Sequence, residues 1–197
     1  MNARDDILGA VRRAVAAGPP VGAPPARVPG RPAAPDLLDR FVERVEDYRA
    51  TVTRCQDAEV AAAILAALAG ATSTILPEGF GWPVPGAVAD IGQSASGLDA
   101  LDAVVTAATV AVAETGTLVL THGPGEGRRA LSLVPDLHVC VVRADQVVAD
   151  VPDAMDRLDP LRPQTWISGP SATSDIELSR VEGVHGPRTL HVIVVVP

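Results

Sequence analysis

Val192-Ile193-Val194-Val195-Val196 decides the fold class. A nearly continuous apolar, β-branched run predicts a strand covered on both faces. Runs of the same kind recur upstream as Val104-Val105-Thr106, Val110-Ala111-Val112, Leu118-Val119-Leu120 and Val139-Cys140-Val141-Val142, each between turn signals. Helical spacing flanks or interrupts them, at 36–50, at 57–69, at 152–158 and after Ser171. Helices alternating with covered strands predict an α/β fold, a mainly parallel sheet flanked by helices. No internal repeat is present.

Ahead of this region, Ile7, Leu8, Val11 and Val15 fall at helical spacing within 4–17 and predict an amphipathic helix. GPPVGAPPARVPGRPAAP (18–35) then reads as an extended linker. The division expected is an arm and linker at 1–35 and an α/β domain at 36–197. The arm either packs on its own domain or docks on a partner or a second copy of the chain. In the next helix Leu37, Leu38, Phe41, Val45 and Tyr48 share a face, with Asp36 as N-cap. The Ala-rich helix at 57–69 turns Val60, Ile64, Leu65 and Leu68 inward, and Gly70 gives a C-cap signal. Thr72–Leu76 is a short strand closed by Pro77, and the Pro-containing segment after it is loop.

Composition excludes several functions. All 16 basic residues are Arg, so lysine Schiff-base chemistry and a P-loop lysine are ruled out. The net charge of −8 argues against a nucleic-acid surface. Cys55 and Cys140 form no CxxC pair and are too few for four-cysteine zinc or iron–sulfur ligation. They are read as buried apolar residues in a reducing compartment. No apolar run reaches a membrane-spanning length, and the N-terminus has no secretory pattern. A cytoplasmic protein is the expectation.

Chemistry concentrates in four stretches. Ala113-Glu114-Thr115-Gly116-Thr117 places an acid, two hydroxyls and a glycine between apolar strands. Glu114 is a candidate base or acyl-accepting nucleophile, and Thr115, Gly116 and Thr117 are candidate anion ligands. The alternative is an ordinary hairpin turn. Thr121-His122-Gly123-Pro124-Gly125-Glu126-Gly127-Arg128-Arg129 brings fork-shaped guanidinium donors to a glycine-rich loop. It is not a dinucleotide fingerprint, and a plain solvated loop fits equally. In Ile167-Ser168-Gly169-Pro170-Ser171-Ala172-Thr173-Ser174-Asp175-Ile176-Glu177 a strand end runs through a small-residue turn into a helix start between Ser171 and Ser174. Ser174 and Glu177 fit a capping box, and such helix starts attract anions. Gly169, Pro170, Ser171 and Glu177 are the candidate ligands there, with Asp175 a candidate acid or base. His185-Gly186, in a turn before Pro187, adds a candidate acid–base residue and a ligand position. No HxH or HExxH spacing is present, so no metal site is predicted.

Taken together, AETGTLVL (113–120), RRALSLVPDLHVCVV (128–142), ISGPSATSDIE (167–177) and VEGVHGPRTLHVIVV (181–195) resemble the lactate-utilisation (LUD) domain family, on the side of its C-type members. The resemblance spans about 36–197. It implies a fold similar to the sugar-isomerase, deaminase and coenzyme A transferase superfamily. It also implies a part in oxidising L-lactate to pyruvate beside two partner proteins, one bearing iron–sulfur motifs. This chain has no such motif, so no intrinsic cofactor is expected and clusters belong to partner subunits. Carried over by motif, Glu114, Thr115, Gly116, Thr117, Arg128, Gly169, Pro170, Ser171, Asp175, Glu177, His185 and Gly186 mark the site without assigning roles.

Three functions stay open. One is a subunit of a lactate-oxidising system that binds a small carboxylate, a phosphate or a partner at these turns. A second is a transferase, because Glu114-Thr115-Gly116 is similar to the Glu-X-Gly turn of some coenzyme A transferases. The third is a non-catalytic assembly protein docking through 1–35.

Overall fold

The apolar runs pair as expected, but they divide between two sheets. The computed structural model describes residues 3–18, 22, 26, 28–30, 34–170, 172–173, 181–182 and 186–197. Its helices are α1 (Ala3–Ala17), α2 (Leu37–Asp47), α3 (Val60–Ala67), α4 (Ala95–Asp99) and α5 (Val151–Arg157). The strands begin with β1 (Thr51–Gln56), β2 (Thr74–Leu76), β3 (Val88–Ala89) and β4 (Ala103–Ala107). They continue with β5 (Val110–Val112), β6 (Thr117–Leu120), β7 (Leu137–Arg143) and β8 (Val147–Val148). The last are β9 (Thr165–Ile167), β10 (Ala172–Thr173), β11 (Val181–Glu182) and β12 (Thr189–Val196).

The larger sheet is six-stranded, in the order β1-β12-β7-β4-β2-β3, and every pairing is parallel. Its register sets Val139 of β7 beside Val105 of β4 and His191 of β12. Alternation then sorts the side chains onto two buried faces. Val139, Val141, Ile193 and Val195 pack with Val60, Ile64 and Leu68 of the α3 region and with the loop around Phe80, Trp82 and Val84. Cys140, Val142, Val192 and Val194 pack with Phe41 and Val45 of α2 and with Ala111, Leu118 and Leu120. Each fully buried Val or Ile contributes on the order of 2 kcal/mol. That two-sided burial is why the runs lack a polar period.

Those last residues belong to the smaller, four-stranded sheet, ordered β8-β5-β6-β9. Here β5 pairs antiparallel with β6, β6 antiparallel with β9, and β5 parallel with β8. Its outer face, Val110, Val112 and Val119, packs on Ala154 and Leu158 of the α5 region. The layers therefore run from α3 through the large sheet to α2 with the small sheet, and then to α5.

Several expectations need correction. Leu65, expected inward, is 47% exposed, because it falls on the outer side of α3. Asp36 occupies the N-cap position of α2 but makes no capping bond; its carboxylate accepts from Arg40 at 3.4 Å. The helix expected to start between Ser171 and Ser174 is not found at Ala172 and Thr173, the described residues of that span. Ala172 and Thr173 are extended and pair antiparallel with Val181 and Glu182. Ser174 and its capping-box partner Glu177 lie outside the described residues. Helix α1 forms as expected and none of its residues is buried.

Both cysteines are free and buried. Burial pushes the Cys140 thiol up to about 12, which removes it as a nucleophile near neutral pH. His138 is buried beside it, with Nε2 2.8 Å from Thr106 Oγ1. Burial holds its pKa down to about 4, against 6.5 for a free imidazole. Between those two values the unfolded chain takes up a proton that the folded chain refuses. Stability is therefore full above pH 6.5 and falls as the pH drops towards 4, by on the order of 3 kcal/mol. Denaturant titrations at pH 7 and pH 4 are expected to show this extra loss in the wild type and its absence in the double variant Thr106→Val/His138→Leu. Equal losses in both would refute it.

Candidate functional site

The small sheet has two functional-looking ends, separated by the length of β6. At ~3.4 Å per residue, that is on the order of 10–15 Å.

One end carries the β5–β6 hairpin. Glu114 N–H donates to the Ala149 carbonyl at 3.1 Å. Thr115 Oγ1 lies 2.7 Å from Thr117 Oγ1, which lies 2.8 Å from Ser168 Oγ. This chain of hydroxyls joins the Glu114 turn to the end of β9. The two stretches singled out in the sequence therefore do meet, through Ser168, which was not among the candidates. Gly116 adopts φ +60° and lies against the backbone of Arg44 and Val45 in α2. Gly169, at φ +81°, lies against Tyr48. Gly169, Pro170 and Gly186 line one groove with Arg129, Trp166 and Ser168, a cavity of about 330 Å³. Ser171, Asp175, Glu177 and His185 lie outside the described residues.

The other end is the glycine-rich loop, and Arg128 belongs to it. The loop crosses the carboxyl edge of the large sheet. Gly125 N–H donates to the Glu78 carbonyl beyond β2, and Ala107 N–H at the end of β4 donates to the Gly125 carbonyl, each at 2.7 Å. The chain travels outward from β2 to β3 and then returns to β4 on the opposite side of β2. Such a reversal at the carboxyl ends of parallel strands leaves a crevice where ligands bind in α/β proteins.

A cavity of about 600 Å³ occupies this position. Its wall includes Glu78, Asp90, His122, Gly123, Arg128 and Arg162. Three anchors fix its shape. The Glu126 carboxylate, 6% exposed, accepts from Thr109 Oγ1, from the Thr121 N–H and from Thr121 Oγ1. Arg128 makes a bidentate pair with Asp90, Nε to Oδ2 at 2.9 Å and Nη2 to Oδ1 at 3.0 Å, and Nη2 also donates to the Gln93 carbonyl at 2.7 Å. That hydrogen-bonded guanidinium holds the Asp90 carboxyl below the ordinary carboxylate range. His122 takes φ +59°, an uncommon conformation for a residue with a side chain. Its Nδ1–H donates to the Gly127 carbonyl at 2.8 Å, and its Nε2 lies 3.0 Å from Thr165 Oγ1.

Glu114 and Arg128, expected in one site, thus stand at opposite ends of the small sheet. Glu126, Asp90 and Arg162 were not singled out from the sequence. A carboxylate between two glycines, Gly125-Glu126-Gly127, was a signal for the first; Arg162, in an unremarkable Leu-Arg-Pro turn, gave none. Among the described residues, no three His, Cys, Asp or Glu side chains gather to hold a metal.

The model for the LUD domain matches residues 96–195. Over 98% of its length the chain is 45% identical to lactate utilization protein C of Deinococcus radiodurans, and the match covers 95% of that protein. The chain belongs to the LUD domain family. A lactate utilization protein C from Shouchella clausii is 35% identical over 48% of this chain and 44% of its own length. The crystal structure of a DUF162 family protein from Deinococcus radiodurans superposes with a TM-score of 0.73 at 41% identity, covering 83% of this chain and 99% of that one. The LUD domain matched here contains the hairpin, the glycine-rich loop, Arg162 and the described part of the Gly169–Gly186 groove, while Glu78 and Asp90 precede it. Among the described residues, no helix is long and apolar enough to cross a membrane.

Proposed function

We propose that this LUD protein serves lactate utilisation as a subunit or accessory protein of an L-lactate-oxidising system. Its contribution is to bind a small anion or a partner at the glycine-, serine- and threonine-rich turns described above. The observation that carries this reading is the near full-length, 45% identical match to a lactate utilization protein C. Iron–sulfur clusters are assigned to partner subunits, since two cysteines, both buried, offer no cluster site. Residues 1–35 form the docking arm in this proposal, consistent with a helix α1 that presents Ile7, Val11 and Val15 to solvent.

A clean deletion in the source organism is expected to abolish growth on L-lactate, to leave growth on glucose intact, and to be restored by the full-length gene. Unchanged growth on lactate would overturn the proposal. In the transferase reading, Glu114 would form a covalent acyl adduct with an acyl-coenzyme A donor. Mass spectrometry after incubation with such donors decides that point, and absence of an adduct on Glu114 removes it.

A further inference from the structure

We propose that the cavity at the carboxyl ends of β2, β3 and β4 is an oxyanion site, taking the carboxylate or phosphate group of a small metabolite with Arg162 as its main clamp. The inference rests on the preceding reading only for the choice of ligands tried.

The first reason is the state of the two guanidinium groups. Arg40, Arg44, Arg54, Arg128 and Arg143 each have a carboxylate partner within 3.4 Å. Arg162, also on the cavity wall, has neither an ion pair nor a side-chain hydrogen bond among the described residues. An arginine fork with five donors and no acceptor is suited to bidentate capture of a carboxylate or phosphate. Arg128 has its Nε and Nη2 committed to Asp90 and Gln93, which fixes its orientation and leaves Nη1 for a ligand.

The second reason is how the wall is built. A Cβ added at Gly123 would stand 3.5 Å from Nη2 and 4.0 Å from Nη1 of Arg162, so any side chain there would occupy space beside the fork. His122, next to it, holds its left-handed backbone through bonds from both ring nitrogens. A strained residue that its surroundings over-determine is common at ligand clamps. Buried Glu126 ties the same loop to Thr109 and Thr121. Arg128 and the loop are therefore preorganised, which lowers the entropic cost of binding, while the Arg162 fork is ordered by the ligand it takes. Asp90 is neutralised by Arg128, and exposed Glu78 disfavours highly charged ligands. A single oxyanion group is the best match.

The test is isothermal titration of the full chain at low ionic strength with L-lactate, pyruvate and inorganic phosphate in separate arms. Saturable binding of at least one is expected. Lactate or pyruvate binding identifies a carboxylate source, and phosphate binding alone identifies a phosphate source. Arg162→Gln is expected to weaken that binding at least about tenfold, with unchanged circular dichroism and thermal midpoint because Arg162 is exposed. Arg143→Gln, in an ion pair with Asp57 elsewhere, is expected to bind like wild type. No saturable binding by the wild type, or equal binding by Arg162→Gln, would overturn the site. Failed binding beside a lactate growth defect removes only this site. An absent growth defect removes the lactate reading and leaves the titration to decide the site by itself.

Discussion

Replacing Glu126 by alanine is expected to lower folding stability by about 4 kcal/mol. The carboxylate is nearly inaccessible and receives three donors: the Thr109 hydroxyl, the Thr121 N–H and the Thr121 hydroxyl. Alanine would leave all three without their acceptor, two of them on the buried Thr121 and the third on the half-buried Thr109. Each unsatisfied buried donor costs ~1–3 kcal/mol, and the two hydroxyls, 2.8 Å apart, can satisfy one another only in part. Glu126→Gln keeps one carbonyl acceptor, and its NH₂ can donate to the Thr109 hydroxyl oxygen in place of the bond lost there, so a smaller loss of about 2 kcal/mol is expected. Urea titrations of the three proteins measure both differences. A loss below about 1 kcal/mol for Glu126→Ala would mean that the glycine-rich loop is held by something else.

The second large effect is expected at Gly116. A Cβ there would stand 2.7 Å from the carbonyl carbon of Arg44 and 2.8 Å from both Arg44 O and Val45 N. These are backbone atoms of α2, which carries the buried Phe41 and Val45, so they cannot move aside cheaply. The φ of +60° adds ~1–2 kcal/mol for any L side chain. Overpacking adds ~1–3 kcal/mol, so Gly116→Ala is expected to cost about 3 kcal/mol. The glycine singled out as a candidate anion ligand thus has a sufficient packing reason to be glycine. A Gly116→Ala protein within about 0.5 kcal/mol of wild type would contradict the close approach of hairpin and helix.

How far the sequence could be read depended on what each signal reports. The runs at 139–142 and 192–196 were legible because a strand buried on both faces carries that burial in every residue. The division into two sheets was not legible. Val110–Val112 and Thr117–Leu120 are also covered on both sides, so their composition matches that of the parallel strands. Ser and Thr after Gly169 favour helix caps, but Thr173 is equally at home in a strand, and pairing with Val181 decides the matter at 172–173. For the site, proximity was the missing information. Thr117 and Ser168 are 51 positions apart and hydrogen-bonded, whereas Glu114 and Arg128 are 14 apart and lie at opposite ends of a sheet. Arg162 is invisible in sequence because an exposed arginine is ordinary until its lack of a side-chain partner among the described residues is seen.

The central claim, a part in lactate utilisation, is tested most directly by the rate of L-lactate consumption in washed cells of a clean deletion strain, compared with the parent and the complemented strain. Consumption is expected to collapse in the deletion and to return with the full-length gene, while glucose consumption stays unchanged. Lactate consumption at the parental rate in the deletion strain would contradict the claim.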